Sequence, residues 1–369
     1  MVDPAAGGTA MRREQLLLRG LAVGTAAAAT GMMLRRWADR RAAEAFYTTE
    51  LEASEPDWVG AGYGGLPIYW HASEWIEALF TTSLQAIREA LPSDDLHPVR
   101  MPNGRGVVYI AGTRYGDITA NGVEGVAALP YGEVWVAAAV TRRPAPPLLP
   151  LIAPASSGRA AGWFVLHLPV TTKVARDVGR GVWGYPKFMA DMDFEDAITE
   201  RSVRLAENGQ TILSLTIHPA GRPSVGHDPT VLYSVLDGQL VEVAIPSYAI
   251  QQTRWGAAGG HLELGDHQVA DELRRLDLSR RPFMTRLSIS QRISMVRGRA
   301  IGPARPYLGY IGDERDLGRF VVHYPKAAPI DLYAPFASTA GPMRAVASAT
   351  SPTPASPAAE EPELAGAAR

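Results

Sequence analysis

Gly179-Arg180-Gly181-Val182-Trp183-Gly184-Tyr185-Pro186-Lys187-Phe188 sets one lysine among three glycines, a proline and three aromatic rings. An ammonium ordinarily keeps its water, and these neighbours offer little of it. Lysine is also scarce: it stands only at Lys173, Lys187 and Lys326, so nearly all of the 36 basic residues are arginine. Only lysine has an amine that deprotonates and attacks a carbonyl. The stretch therefore reads either as a reactive lysine in an apolar setting or as one of three lysines kept by chance. From Gly179 to Gly184 it also fits the pattern G-x-G-x-x-G, as does Gly60 to Gly65. A dinucleotide site needs a helix after those glycines, whose first amides hold the pyrophosphate. Pro67 and Pro186 fall where that helix would form its early hydrogen bonds, so neither stretch is read as a nucleotide site.

Upstream, Pro130-Tyr131-Gly132-Glu133-Val134-Trp135-Val136-Ala137 places a carboxylate at the mouth of an apolar strand. Such a glutamate is ordinarily a solvated edge residue. Beside a reactive lysine it becomes a candidate acid/base. Around these two stretches, short β-like runs are separated by Gly, Asn, Asp and Pro: 106–112, 133–141, 162–174, 202–205, 211–218, 240–246, 285–296 and 320–323. Many short strands with little helical period predict an α+β chain, mainly an antiparallel sheet folded into a barrel or sandwich. One helix is expected over 73–91, where Trp75, Ile76, Leu79, Phe80, Leu84, Ile87 and Leu91 recur at three and four residues before Pro92. A second is expected over 268–276.

The 369 residues, 46% hydrophobic and 20% charged, can bury a sizeable core. A net charge of -2 argues against a nucleic-acid partner. The chain has no cysteine, which excludes disulfides, thiolate catalysis and cysteine-ligated metals. His261 and His267 with Glu263 and Asp266, and His218 and His227 with Asp228, are too interrupted by glycine and proline to be read as metal sites. No G-x-S-x-G elbow is present, which argues against an α/β-hydrolase. No cofactor is expected.

The chain is expected to divide into an N-terminal helical segment at 1–45, a main globular domain at 46–336, and an Ala/Pro/Ser-rich tail at 337–369 expected to be disordered. Near the start, Arg12-Arg13 precede a weakly apolar run from Gly20 to Leu34, short of the roughly 20 residues that span a membrane. A membrane anchor or interfacial helix, a plain alanine-rich helix and a cleaved signal all stay open. The expected location is cytoplasmic, with membrane attachment through this segment as the alternative.

Taken together, the two stretches resemble the acetoacetate decarboxylase superfamily, whose members carry G-R-E-x-x-G-[YF]-P-K-K and, upstream, P-Y-x-E opening a strand. Gly302-Pro303-Ala304-Arg305 is a third, weaker match. The resemblance covers roughly Gly60 to Phe320 and is patchy between Gly221 and Arg281. It implies a closed antiparallel cone-like barrel, Lys187 as the Schiff-base lysine and Glu133 as the active-site glutamate. It further implies a small oxo-acid substrate, with Tyr131, Trp183, Tyr185, Phe188 and Arg305 at its binding site, and a homo-oligomer. Departures accompany the match. Phe188 replaces a second lysine and Gly181 a glutamate; the family arginine for the substrate carboxylate aligns near Ser73, and a second family glutamate near Tyr109.

A solvated lysine has a pKa near ~10.4, so making it nucleophilic at neutral pH means lowering that by ~4 units, or about 5.5 kcal/mol. Desolvation by Trp183, Tyr185 and Phe188 is the larger available cause, since a second lysine is missing. The expected chemistry is imine formation followed by decarboxylation, retro-aldol cleavage or dehydration. The alternative is a non-catalytic barrel that binds a small ligand or a partner protein.

Overall fold

The computed structural model of the chain describes residues 65–121, 127–128, 130–152, 161–226, 229–307 and 309–312. The expected N-terminal helix, the expected tail, Lys326 and the strand expected at 320–323 lie outside them. In chain order the strands are β1 Gly65–Thr82, β2 His97–Pro98, β3 Gly106–Asn121, β4 Ala127–Ala128, β5 Tyr131–Thr141 and β6 Gly162–His167. There follow β7 Asp191–Asp196, β8 Arg201–Glu207, β9 Gln210–Ile217, β10 Ser224–Gly226, β11 Thr230–Leu236 and β12 Gln239–Ile245. The last are β13 Ser247–Trp255, β14 Gly260–Leu264, β15 Met284–Met295 and β16 Arg299–Pro303. Among the described residues four α-helices join them, α1 Leu84–Ala90, α2 Leu149–Ile152, α3 Lys173–Trp183 and α4 Gln268–Arg275, with a short 3-10 helix at Ala257–Gly259. Among the described residues no helix is long and apolar enough to cross a membrane.

A 12-stranded, mostly antiparallel sheet follows the path β10-β13-β15-β1-β3-β5-β6-β11-β12-β16, with β2 on β5 and β4 on β3. β6 and β11 pair in parallel. The hydrogen-bonded path has two ends among the described residues, β10 and β16, where a closed barrel would return to its start. The sheet nonetheless curls around its inner face. There Trp75 and Leu79 of β1, Trp135 and Ala137 of β5, Val241 and Val243 of β12, and Met284 and Ile293 of β15 join one apolar cluster. A second cluster fills the outer face, where a 4-stranded sheet, β14-β9-β8-β7, packs with α1 and α4. Alternation along each strand, with successive side chains on opposite faces, sorts the residues between the two clusters.

The helix expected over 73–91 is a strand for most of its length. β1 continues to Thr82, and only Leu84–Ala90 is helical, capped by the Ser83 side chain accepting from the Ala86 amide. Both faces of β1 are buried, so Trp75 and Leu79 face inward while Ile76 and Phe80 face outward. A strand buried on both sides loses its alternation and imitates one face of a helix. Conversely, α3 occupies the region expected to be strand and loop. Its Thr172 cap accepts from the Ala175 amide, and Gly184 ends it at φ 67°, the left-handed conformation that favours glycine. The helix expected over 268–276 forms, as α4.

Candidate active site

Three backbone segments build the site. The first is the opening of β5, which carries Tyr131 and Glu133 on the inner face. The second is the extended turn 168–171: the amide of Val134 donates to Pro169 O at 3.1 Å, and that of Thr171 to Gly132 O at 3.1 Å. The third is 186–190, running alongside that turn: Leu168 N donates to Pro186 O at 3.1 Å, Val170 N to Phe188 O at 2.9 Å, and Ala190 N to Val170 O at 3.0 Å. Residues 168–171 thus hold Glu133 and Lys187 in adjacent positions, although the two are 54 residues apart in the chain.

Lys187 Nζ lies 3.0 Å from Glu133 Oε2, with the lysine 5% and the glutamate 1% exposed. α3 fixes the lysine from behind. The Arg180 side chain, itself buried, donates through Nε to Lys187 O at 2.6 Å and through Nη2 to Ile311 O at 2.9 Å. The lysine stem runs against the helix backbone at Gly179, where an added Cβ would fall 2.4 Å from Lys187 Cε. Gly184 has two reasons to be glycine: its positive φ, and the carbonyl of Val235, which an added Cβ would approach to 2.1 Å. Two of the glycines that suggested a phosphate cradle, Gly179 and Gly184, therefore serve packing at the end of a helix, while an added Cβ at Gly181 would meet open space. No helix begins after them.

Aromatic rings enclose the pair. Tyr131 is within hydrogen-bonding reach of Glu133 and accepts from Trp70 Nε1 at 3.3 Å. Tyr115 packs against Tyr131 with centroids 4.8 Å apart, and Trp183 stacks on Tyr185 at 5.9 Å. Trp183 is anchored through Nε1 to Val296 O at 2.8 Å. Among the described residues, two buried hydroxyls on this inner face have no hydrogen-bond partner: Tyr185, and Thr113, which pairs with Glu133 across β3 and β5.

Burial pushes the Lys187 amine below its ordinary range, and the charge and hydrogen bond of Glu133 oppose that. Burial pushes Glu133 upward, against the pull of Lys187 and the Tyr131 hydroxyl. Both directions favour the amine and the carboxylic acid over the ammonium and the carboxylate. An amine with a free lone pair beside a group holding a proton is what addition to a carbonyl requires.

The expected site residues divide between the faces. Lys187, Glu133, Tyr131, Trp183 and Tyr185 come together on the inner face. Phe188, fully buried, points into the outer cluster and meets the edge of Tyr310 at 4.8 Å. The segment is extended there, so neighbours in sequence face opposite ways. Arg305 joins the end of α1, its Nη2 donating to Leu91 O at 2.7 Å, and is not brought to the lysine. Trp70, Thr113, Tyr115 and Arg180 were not legible as site residues. The first three come from β1 and β3, whose registers no local motif announces.

The acetoacetate decarboxylase family model matches residues 56–294. The chain belongs to the acetoacetate decarboxylase family. Among solved structures of that family, the Legionella pneumophila enzyme superposes with a TM-score of 0.51 at 16% identity, covering 69% of this chain and 94% of its own. A second acetoacetate decarboxylase gives 0.50 at 15% identity, with 66% and 92% covered. MppR, an enduracididine biosynthesis enzyme complexed with the condensation product of pyruvate and imidazole 4-carboxaldehyde, gives 0.49 at 13% identity, with 64% and 90% covered. No curated protein matches the sequence. The mostly antiparallel sheet with few helices is thus an acetoacetate decarboxylase-like fold.

Proposed function

We propose that the chain is an imine-forming carbon-carbon lyase of this family, acting on an oxo acid inside the curled sheet, with Lys187 as nucleophile and Glu133 as proton carrier. The supporting observation is the buried 3.0 Å contact between Lys187 Nζ and Glu133 Oε2. The amine adds to the substrate carbonyl carbon, and the oxygen departs as water with protons supplied by Glu133 and the amine. The protonated imine then draws electrons from the adjoining bond. In decarboxylation, the bond to the carboxylate breaks, its electron pair moves into the enamine, and carbon dioxide leaves. Glu133, by then a carboxylate, takes up a proton from solvent and passes it to carbon, and addition of water releases the product and frees the amine. Retro-aldol cleavage and dehydration use the same imine. The hydroxyls of Tyr185 and Thr113 stand on the face from which substrate oxygens would approach.

Incubation with a panel of oxo acids, reduction with borohydride and mass mapping test this reading. A secondary amine on Lys187 is expected, and it should vanish in Lys187→Arg. Absence of any adduct with every carbonyl tried, or full turnover by Lys187→Arg, would sink the proposal. Either result would return the chain to the alternative of a non-catalytic member that binds a ligand or partner.

A further inference from the structure

A cavity of about 240 Å³ opens on the same inner face as the lysine, and the imine chemistry just proposed does not use it. Its walls include the rings of Trp75, Tyr109, Trp135 and Trp163, and its polar end carries Glu77 and Arg286. The strand registers relate it to the lysine. Ser288, Trp75, Thr113 and Glu133 pair in turn across β15, β1, β3 and β5. The next row along the same strands is Arg286, Glu77, Ala111 and Trp135. The two rows lie about 7 Å apart, the rise of two strand residues, and each step across the sheet is about 4.8 Å. A three- or four-carbon oxo acid held at Lys187 therefore cannot reach Arg286. A longer molecule can.

The polar end is built to receive something. Glu77 is buried, accepts from Ser288 Oγ at 3.0 Å, and lies 3.5 Å from Arg286 Nη1. That steadies one corner of the guanidinium. Its Nε is buried and has no partner among the described residues. The Arg286 side chain is nonetheless a third exposed, and a carboxylate grips an open guanidinium edge with two parallel hydrogen bonds. The flat walls suit a flat apolar body.

We propose that this cavity gives the site its specificity, taking an extended oxo compound whose carbonyl reacts at Lys187, whose aromatic or similarly flat body lies among the tryptophans, and whose distal carboxylate is held by Arg286. The proposal rests on the imine reading for the reacting end and on the cavity for the other. The guanidinium that the family's pattern would place near Ser73 is thus supplied from β15. Because it lies remote from the reacting carbon, it holds a group that stays on the substrate.

Three probes separate the parts: 4-(3-oxobutyl)benzoate, 4-phenylbutan-2-one, which lacks the carboxylate, and acetone. Each would form an imine with loss of one water, and borohydride would deliver a hydride to its carbon, leaving a stable amine on Lys187. The expected trapping rates fall in that order. Arg286→Gln should slow the benzoate about tenfold or more, the effect of a lost charge-assisted hydrogen bond, and leave the other two unchanged. Arg286→Lys should restore part of the rate. Equal rates for the benzoate and the neutral ketone in the native protein would overturn the proposal, as would an equal slowing of all three probes by Arg286→Gln. If no probe labels Lys187, the imine reading fails. Saturable quenching of tryptophan fluorescence by the benzoate, lost in Arg286→Gln, would then still support the cavity assignment, and absence of quenching would overturn that as well.

Discussion

Lys187 and Phe188 are adjacent in the chain and serve opposite faces of one sheet. Phe188 goes outward into a cluster of apolar side chains under the second sheet, where every contact adds to stability. Burial of such a ring contributes about 1.5–3 kcal/mol by area alone. Lys187 goes inward to a carboxylate that burial also disfavours in its charged form. Desolvation of two ionisable groups costs more than their pairing reliably returns. Both faces pack apolar clusters, and the inner one also gives up some stability to bury an amine and a carboxyl group. Polar chemistry is tolerated there because the rings that desolvate it also pack.

This contrast is best broken by exchanging the two behaviours. The double variant Lys187→Met with Glu133→Gln should lose all borohydride-trapped adduct yet unfold at the same or higher denaturant concentration, since it removes two ionisable groups whose charges burial disfavours. A clear loss of stability would mean that the pair is structural. Phe188→Ala should do the reverse. It should cost about 3–5 kcal/mol in denaturant unfolding, as truncation of a fully buried ring does, while the folded fraction still labels at Lys187. If labelling disappears with the ring while the protein stays folded, the faces are not independent.

A finer test lies at Gly179. Alanine favours a helix interior over glycine by about 1 kcal/mol, but its Cβ would stand 2.4 Å from Lys187 Cε. The lysine tip is free to shift, so Gly179→Ala should fold with stability changed by about 1 kcal/mol at most. Labelling should slow about a hundredfold, the usual penalty for an ångström of misplacement. Unchanged labelling would show that the helix does not position the amine.

The smallest effect concerns pH. Only the uncharged amine adds to a carbonyl, so labelling should increase as pH climbs through the lowered pKa of Lys187 and fall again once Glu133 has lost the proton it supplies. Glu133 holds that pKa up by its charge, so Glu133→Gln should shift the rise to lower pH. A shift to higher pH would mean that desolvation by the rings depends on the glutamate.

Much of this was written in the chain itself. A lysine kept among rings and glycines, a glutamate at a strand mouth, and the dominance of short strands all follow from residue chemistry and local period, and the family resemblance rests on the same residues. The assignment of 73–91 to helix failed because both faces of β1 are buried. Periodicity reports burial, and a strand covered on both sides has no polar face to mark it. α3 escaped notice because Gly179 and Gly181 weaken helical propensity, whereas the close approach of the Lys187 stem calls for glycine at 179. The 54-residue separation of Glu133 and Lys187 closes through the turn 168–171, the cavity exists where β1, β3, β5, β6, β13 and β15 come together, and Arg286 meets Glu77 through strand register. Those are long-range pairings, and their partners are chosen by the packing of whole faces. The sequence by itself determined which ionisable groups stand among apolar neighbours; the tertiary structure decided which of them meet, because burial and register are properties of the assembled sheet.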